Sequence, residues 1–354
     1  MLSTVFKVII LFAVIFPTKT YAYEIPEISG EAMFNETAKE ISSGNFSVNP
    51  VDMLNTIINY ITGEIKESGG YITSIIFIAA LTGVVRVLSD SLGKGASSAA
   101  SFTCFVMMST AALKCFFLAL DYGNNVVTAV CDFITKLTPA LIMTLFACGD
   151  IITAGAFEPV LSAAVYVIAV VIEKCLMPLI CFSAILSLAG NINEKVQISN
   201  FCRVLKSVTK WVMVAIITIF TSISAVYGFS APSLDAVSGK AVKFAVGSLV
   251  PVVGGFLSDT LDTVLCGTRL MKNAVGVSGM VCICVTCIMP IIKIFVIQLL
   301  LKAGAALCEP ISDKRISNMM WEVSDSIMTI FAVVVMIMVL FLINIGIILL
   351  VTGF

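Results

Sequence analysis

The chain has 354 residues, 59% of them hydrophobic and only 12% charged, with a formal net charge of −1 and a mean hydropathy of +1.08. A soluble domain carries about 25% charged residues, so lipid is the solvent for most of this chain. There is no histidine, which excludes Ser-His-Asp triads, Cys-His dyads, HExxH zinc sites and histidine proton relays together. No basic cluster marks a nucleic-acid partner. In a hydrocarbon core about 30 Å thick, only helices or closed barrels satisfy their own backbone. The apolar runs last roughly 17–26 residues without period-2 alternation, so they read as helices. The fold class predicted is all-α, a polytopic membrane protein of about six to eight spans.

Residues 1–22 carry Lys7, an apolar core from Val8 to Phe16, a breaker at Pro17 and small or uncharged residues up to Ala22. This is the layout of a secretory signal peptide cleaved between Ala22 and Tyr23. Segment 23–70 is acidic and is expected outside the cytoplasm. Within it, Asn49 and Pro50 suit an N-cap and first turn. Val51, Leu54, Ile58, Ile61 and Ile65 then recur at helical spacing. They form one apolar stripe, fit to lie on the bilayer or to dock an extracytoplasmic partner.

The membrane domain is expected over 71–354. Its first span is placed at 71–89 and its second at 96–120. Segment 124–190 is apolar but interrupted by Asp132, Lys136, Pro139, Asp150, Glu158, Pro159, Glu173, Lys174 and Pro178. Proline frees a carbonyl and bends the axis, so two or three kinked or discontinuous helices are expected there. A basic amphipathic helix at 191–210 leads into a span at 211–227, and 228–240 has the Gly, Ser and Pro content of a loop. A Gly-rich segment at 241–275 follows, then spans at 277–301 and 327–352 with a charged connection, 302–326, between them. Placing Lys94, 191–210 and 302–326 in the cytoplasm groups most Lys and Arg on one side.

All twelve cysteines follow the acidic segment, mostly in apolar runs, and read as small packing residues. Cys282, Cys284 and Cys287 fall near 0°, 200° and 140° at about 100° per residue, so they share no helix face for a metal. No cofactor is expected.

A shift of 112 residues pairs Pro139 with Pro251, Asp150 with Asp262, and Met177-Pro178 with Met289-Pro290. This suggests a duplication, with repeats at about 131–230 and 243–354, and four broken-helix positions at Pro139, Pro178, Pro251 and Pro290. A lipid-facing charge at the bilayer centre costs at least about 2.5–3.5 kcal/mol. Lys293, three residues after Pro290, is the hardest to excuse, followed by Glu173, Asp150 and Asp262. These four are expected to line an intramembrane polar cavity or a subunit interface.

Several segments also resemble a known family. They are Gly239-Lys240-Ala241-Val242-Lys243-Phe244, Val250-Pro251-Val252-Val253-Gly254-Gly255-Phe256, Asp259, Asp262-Thr263-Val264 and Lys272-Asn273-Ala274-Val275-Gly276, with Met177-Pro178-Leu179-Ile180 and Ser183-Ala184-Ile185-Leu186-Ser187 upstream. The chain is similar to the stage III sporulation protein AE family of endospore-forming bacteria. The likeness is strongest over about 156–300, and the N-terminal soluble segment is short for the family.

The resemblance implies a non-enzymatic subunit of a channel-like, secretion-like complex joining mother cell and forespore, required for late forespore gene expression. It implies residence in the mother-cell membrane around the forespore. The implied partners are the other proteins of the stage III sporulation A operon, among them an ATPase and ring-forming components, and a forespore membrane protein. It supplies no catalytic residues. The residues alone leave two further classes open: a secondary transporter for a small solute, suggested by the repeat and the intramembrane charges, and an intramembrane enzyme, for which no nucleophile–base pair is visible.

Overall fold

The structure is a computed structural model describing residues 94–149, 151–192, 199–249, 254–310 and 314–350, together with Thr62, Gly63, Phe77 and Val84. Within these, the side chains of 227–265 are among those outside the description. The signal sequence with its Ala22–Tyr23 junction, the stripe Val51, Leu54, Ile58, Ile61 and Ile65, and almost all of 71–89 lie outside the described residues.

Among the described residues the chain is helical, without strands. Helix α1 is Lys94–Ala147. A tight turn closes it: Cys148 N–H donates to Thr144 O at 3.0 Å, and Gly149, at φ 85°, takes the left-handed conformation that glycine reaches without strain. Helix α2, Ile151–Val171, passes through the π-helical turn Ile172–Leu176 into α3, Met177–Ile192, with helical dihedrals at both joins. Then follow α4, Ser199–Leu249, α5, Gly254–Cys308, and α6, Lys314–Leu350. Five stretches are long and apolar enough to cross a membrane, at 102–147, 163–191, 200–226, 266–308 and 314–349. The chain is an all-α, multi-span membrane protein.

The hairpin of α5 and α6 is the most extensive helix pair, and α1 packs along both. Helix α2 lies on α1, while α3 and α4 close the side of α6. Small residues set the register. A Cβ on Gly123 of α1 would fall 2.7 Å from Ile330 Cγ2 of α6 and 3.3 Å from Met177 Cε of α3. A Cβ on Gly279 of α5 would fall 2.7 Å from Leu137 Cδ2 of α1 and 3.6 Å from Ile345 Cδ1 of α6. Thus 123–137 of α1 runs parallel to 330–345 of α6, with α5 antiparallel between them. Without a hydrophobic drive between helices in lipid, such close backbone approach is how they gain attraction.

The structure corrects several boundaries read from the sequence. Helix α1 does not end near residue 120 and does not break at Pro139, which sits inside it. A proline deletes one ladder bond, and here buried Ile134, Leu137, Leu141 and Ile142 hold the helix on both sides of the loss. Pro290 likewise lies inside an unbroken α5, flanked by buried Cys287, Ile292 and Ile294. Pro178 follows the π-helical turn, whose wider loop displaces the carbonyls that its ring would strike. The paired prolines 178 and 290 therefore occupy different local backbones. Pro251 lies outside the described residues. Segment 228–240 is helix rather than loop: Ala231, Leu234, Ala236, Val237, Ala241 and Phe244 keep a helical apolar rhythm that outweighs the Gly, Ser and Pro signal. The 302–326 connection shrinks to the few residues between Cys308 and Lys314.

Candidate functional site

The uncharged stretch of α6, Ser326–Leu350, is about 36 Å long at 1.5 Å per residue, slightly more than the hydrocarbon core. Polar anchors mark both of its ends. At one, Lys302 lies 4.9 Å from the Trp321 ring centroid and 3.8 Å from Asp325 Oδ1, and Asn191 Nδ2 donates to Glu322 Oε2 at 2.9 Å. An aromatic ring beside charges is the composition of a membrane interface. At the other, buried Lys272 donates to Leu349 O at 3.2 Å. That carbonyl belongs to the last turn of α6, where no helical N–H reaches it, and a cation suits the helix C-terminus. The Leu349 side chain packs on Gly276, so Lys272 and Gly276 dock the end of α6 together.

Between these anchors sits Lys293. It is 4% exposed, on the inward face of α5, with its Nζ 5.3 Å from the Tyr122 ring centroid of α1. The ring face supplies negative electrostatic potential to the desolvated ammonium. One residue further along α1 is Gly123, which receives Ile330 and Met177. Lys293 is thus held where α1, α3, α5 and α6 meet, level with Ile330 and about one helical turn inside the Ser326 end of the apolar stretch.

Glu173 and Lys174 lie on the π-helical turn and pair with each other, Nζ to Oε1, at 2.5 Å, with side chains 60% and 72% exposed respectively. The turn lies against α1, and Cys131 is within electrostatic range of both Asp132 and Glu173. The structure therefore separates two residues that the sequence grouped: Lys293 faces the interior, Glu173 the outside. Asp150 lies outside the described residues, and the Asp262 side chain is also outside the description.

The outward face of α1 at this level is polar. Asp121, Asn124, Asn125, Thr128, Asp132, Thr135 and Lys136 are all exposed. At about 100° per residue they fall within about 60° of a common direction. Exposed Phe102, Val106 and Phe117 precede this belt on the same helix, and exposed Met143 and Phe146 follow it. The opposite face is buried and apolar, with Val126, Val130, Ile134 and Leu137. Of the belt, sequence inspection singled out only Asp132 and Lys136. Their spacing from Asp121, Asn125 and Thr128 was the available signal.

Inner polar groups cluster on α3. Ser183 and Ser187 are buried one turn apart, and neither Oγ finds a hydrogen-bond partner among the described residues. Among the described residues no group of His, Cys, Asp or Glu side chains is arranged to hold a metal ion.

Comparison with known proteins gives one consistent result. The family described as Stage III sporulation protein AE matches residues 32–352. The Stage III sporulation protein AE of Bacillus subtilis (strain 168) is 25% identical over 310 residues, covering 87% of this chain and 78% of that protein. No solved structure matches. With almost the whole chain matched, including every described helix that can cross a membrane, this protein belongs to the stage III sporulation protein AE family.

Proposed function

We propose that the chain is a non-enzymatic membrane subunit of the channel-like, secretion-like complex that joins mother cell and forespore and sustains late forespore gene expression. It sits in the mother-cell membrane around the forespore, with its N-terminal segment on the extracytoplasmic side. Its partners are the ATPase and ring-forming components of the stage III sporulation A operon and a forespore membrane protein. The observation that carries this reading is the family match over residues 32–352. The buried Lys293 and the polar belt support it physically, because charged groups inside a membrane domain mark pathways or protein contacts.

The test is affinity capture of the tagged full-length chain from membranes of sporulating cells. Recovery of the operon ATPase and ring components, with loss of late forespore gene expression when the chain is deleted, is the expected result. Solute uptake by the purified chain alone in liposomes, with no operon partner recovered, overturns it in favour of a secondary transporter.

A further inference from the structure

Three cations on the first turns of α4 lack an acidic partner. Arg203 and Lys210 are exposed, Lys206 is half-buried, and none of them makes an ion pair among the described residues. At about 100° per residue they lie within about 60° of one another, beside the buried Cys202 and Thr209. No Asp or Glu occurs in α4 before Asp235, and α3 has none. On α6, Glu322 already accepts from Asn191 and Asp325 already pairs with Lys302.

The depth of these cations follows from the chain. Only residues 193–198 join α3 to α4, and Asn191 of α3 bonds Glu322, so α4 starts at the Lys302–Trp321 end of the bundle. In both α4 and α6 twelve residues precede the uncharged run, which opens at Trp211 in one and at Ser326 in the other. The α4 run, Trp211–Leu234, is about 35 Å long at 1.5 Å per residue, close to that of α6. Arg203, Lys206 and Lys210 therefore occupy about 10 Å of helix just outside the hydrocarbon, at the depth of lipid headgroups.

We propose that the Arg203–Lys206–Lys210 face binds the headgroup phosphate of an anionic phospholipid. Charge complementarity selects the headgroup: phosphate oxygens accept from the guanidinium fork and from both ammonium groups. A zwitterionic lipid brings its own cation and would leave the face positive. The residues directly below select a lipid over a free phosphate or an acidic protein. Val214 and Ile217 continue the same side of α4 into the hydrocarbon and are exposed. A lipid whose phosphate sits at Lys210 lays its acyl chains on them. Trp211, 74% exposed, flanks the site at the boundary level that indole rings favour. Basic and apolar surface side by side at this depth is how a helix engages an anionic membrane surface. This inference goes beyond the proposed function and does not rest on it.

The test adds phosphatidylglycerol or phosphatidylcholine of equal chain length to the purified full-length chain in mild detergent and counts bound lipid by native mass spectrometry. Phosphatidylglycerol is expected to bind at least about tenfold more tightly, equivalent to about 1.4 kcal/mol. Arg203→Gln, Lys206→Gln and Lys210→Gln together are expected to abolish that preference. Lys206→Gln with Lys210→Gln should lower it more than the matched pair Lys314→Gln with Arg315→Gln on α6, whose side chains are also exposed. Inorganic phosphate should not displace the lipid, since it has no chains to lie on Val214 and Ile217. As a second readout, in a Trp321→Phe background, acyl-brominated phosphatidylglycerol should quench Trp211 fluorescence more than brominated phosphatidylcholine, and the triple variant should be quenched equally by both. Thermal unfolding of each variant guards against misfolding. Equal binding of the two lipids by the intact chain, or an unchanged preference in the triple variant, overturns the inference. So does displacement by inorganic phosphate, or an equal loss from the two matched pairs. If the triple variant keeps its lipid preference but no longer captures the operon partners, the face docks protein and the lipid reading falls. Capture of those partners by an intact chain that does not discriminate between the lipids overturns this inference alone, leaving the proposed function standing.

Discussion

Replacing Gly123 with alanine adds one methyl group where α1 meets α6. The new Cβ would lie 2.7 Å from Ile330 Cγ2, against an optimal carbon–carbon separation of about 3.5–4.0 Å. Relief needs a separation of about 1 Å between two helices whose facing side chains are fully buried, and overpacking of this kind costs about 1–3 kcal/mol. Ile330→Ala alone removes a fully buried side chain and should cost about 2–5 kcal/mol. In the double variant the space vacated at position 330 accepts the methyl added at position 123, so the combined loss should fall short of the sum by about 1–2 kcal/mol. Gly346→Ala is the control: no atom lies within 4 Å of its Cβ position, so the change should stabilise α6 by about 0.5–1 kcal/mol. Reversible unfolding of the purified protein by SDS in mixed micelles measures all four. Additivity within about 0.5 kcal/mol for Gly123 and Ile330 would show that α1 and α6 do not meet there.

Lys293→Leu should leave stability unchanged or raise it, since a buried ion replaced by a well-packed apolar residue is often neutral or stabilising. Its loss should appear in sporulation; normal sporulation with Lys293→Leu would remove Lys293 from the functional account. Tyr122→Leu keeps the buried ammonium and removes its ring, and should cost about 1–2 kcal/mol in the same unfolding assay. Lys272→Met should cost about 1.5–3 kcal/mol by leaving the Leu349 carbonyl without its charged donor. Faster hydrogen exchange in the last turn of α6 would be its signature. Pro178→Ala restores a backbone N–H next to the π-helical turn and should let Ile172–Leu176 tighten towards α-helix; unchanged exchange rates across 172–180 would refute the link between that proline and the turn.

The membrane class and the apolar spans were plain in composition and run length, because a lipid solvent leaves little choice of backbone. Helix boundaries were not. Pro139, Pro290 and the 228–240 segment all signal breaks locally, yet lateral packing holds each proline within a continuous helix and the segment is helical too. Lys293 was legible as a charge with no span end within reach, and its burial against Tyr122 follows from the cost of the alternative. Its separation from Glu173 was not legible, since the direction a helix face looks is set by neighbours distant in the chain. The Lys272 and Gly276 roles were hidden for the same reason: both act on Leu349, and no local pattern announces a contact across 77 residues.

The proposed function depends on Lys293 and the α1 belt being sheltered from acyl chains. The direct measurement is carbene photolabelling from a lipid tail in membranes of sporulating cells, with labelled sites read by mass spectrometry. Labels should collect on Tyr166, Val167, Phe182 and Trp211 and be sparse between residues 121 and 136 and at Lys293. Labelling of Asp132, Lys136 and Lys293 as dense as that of Trp211 would contradict the account.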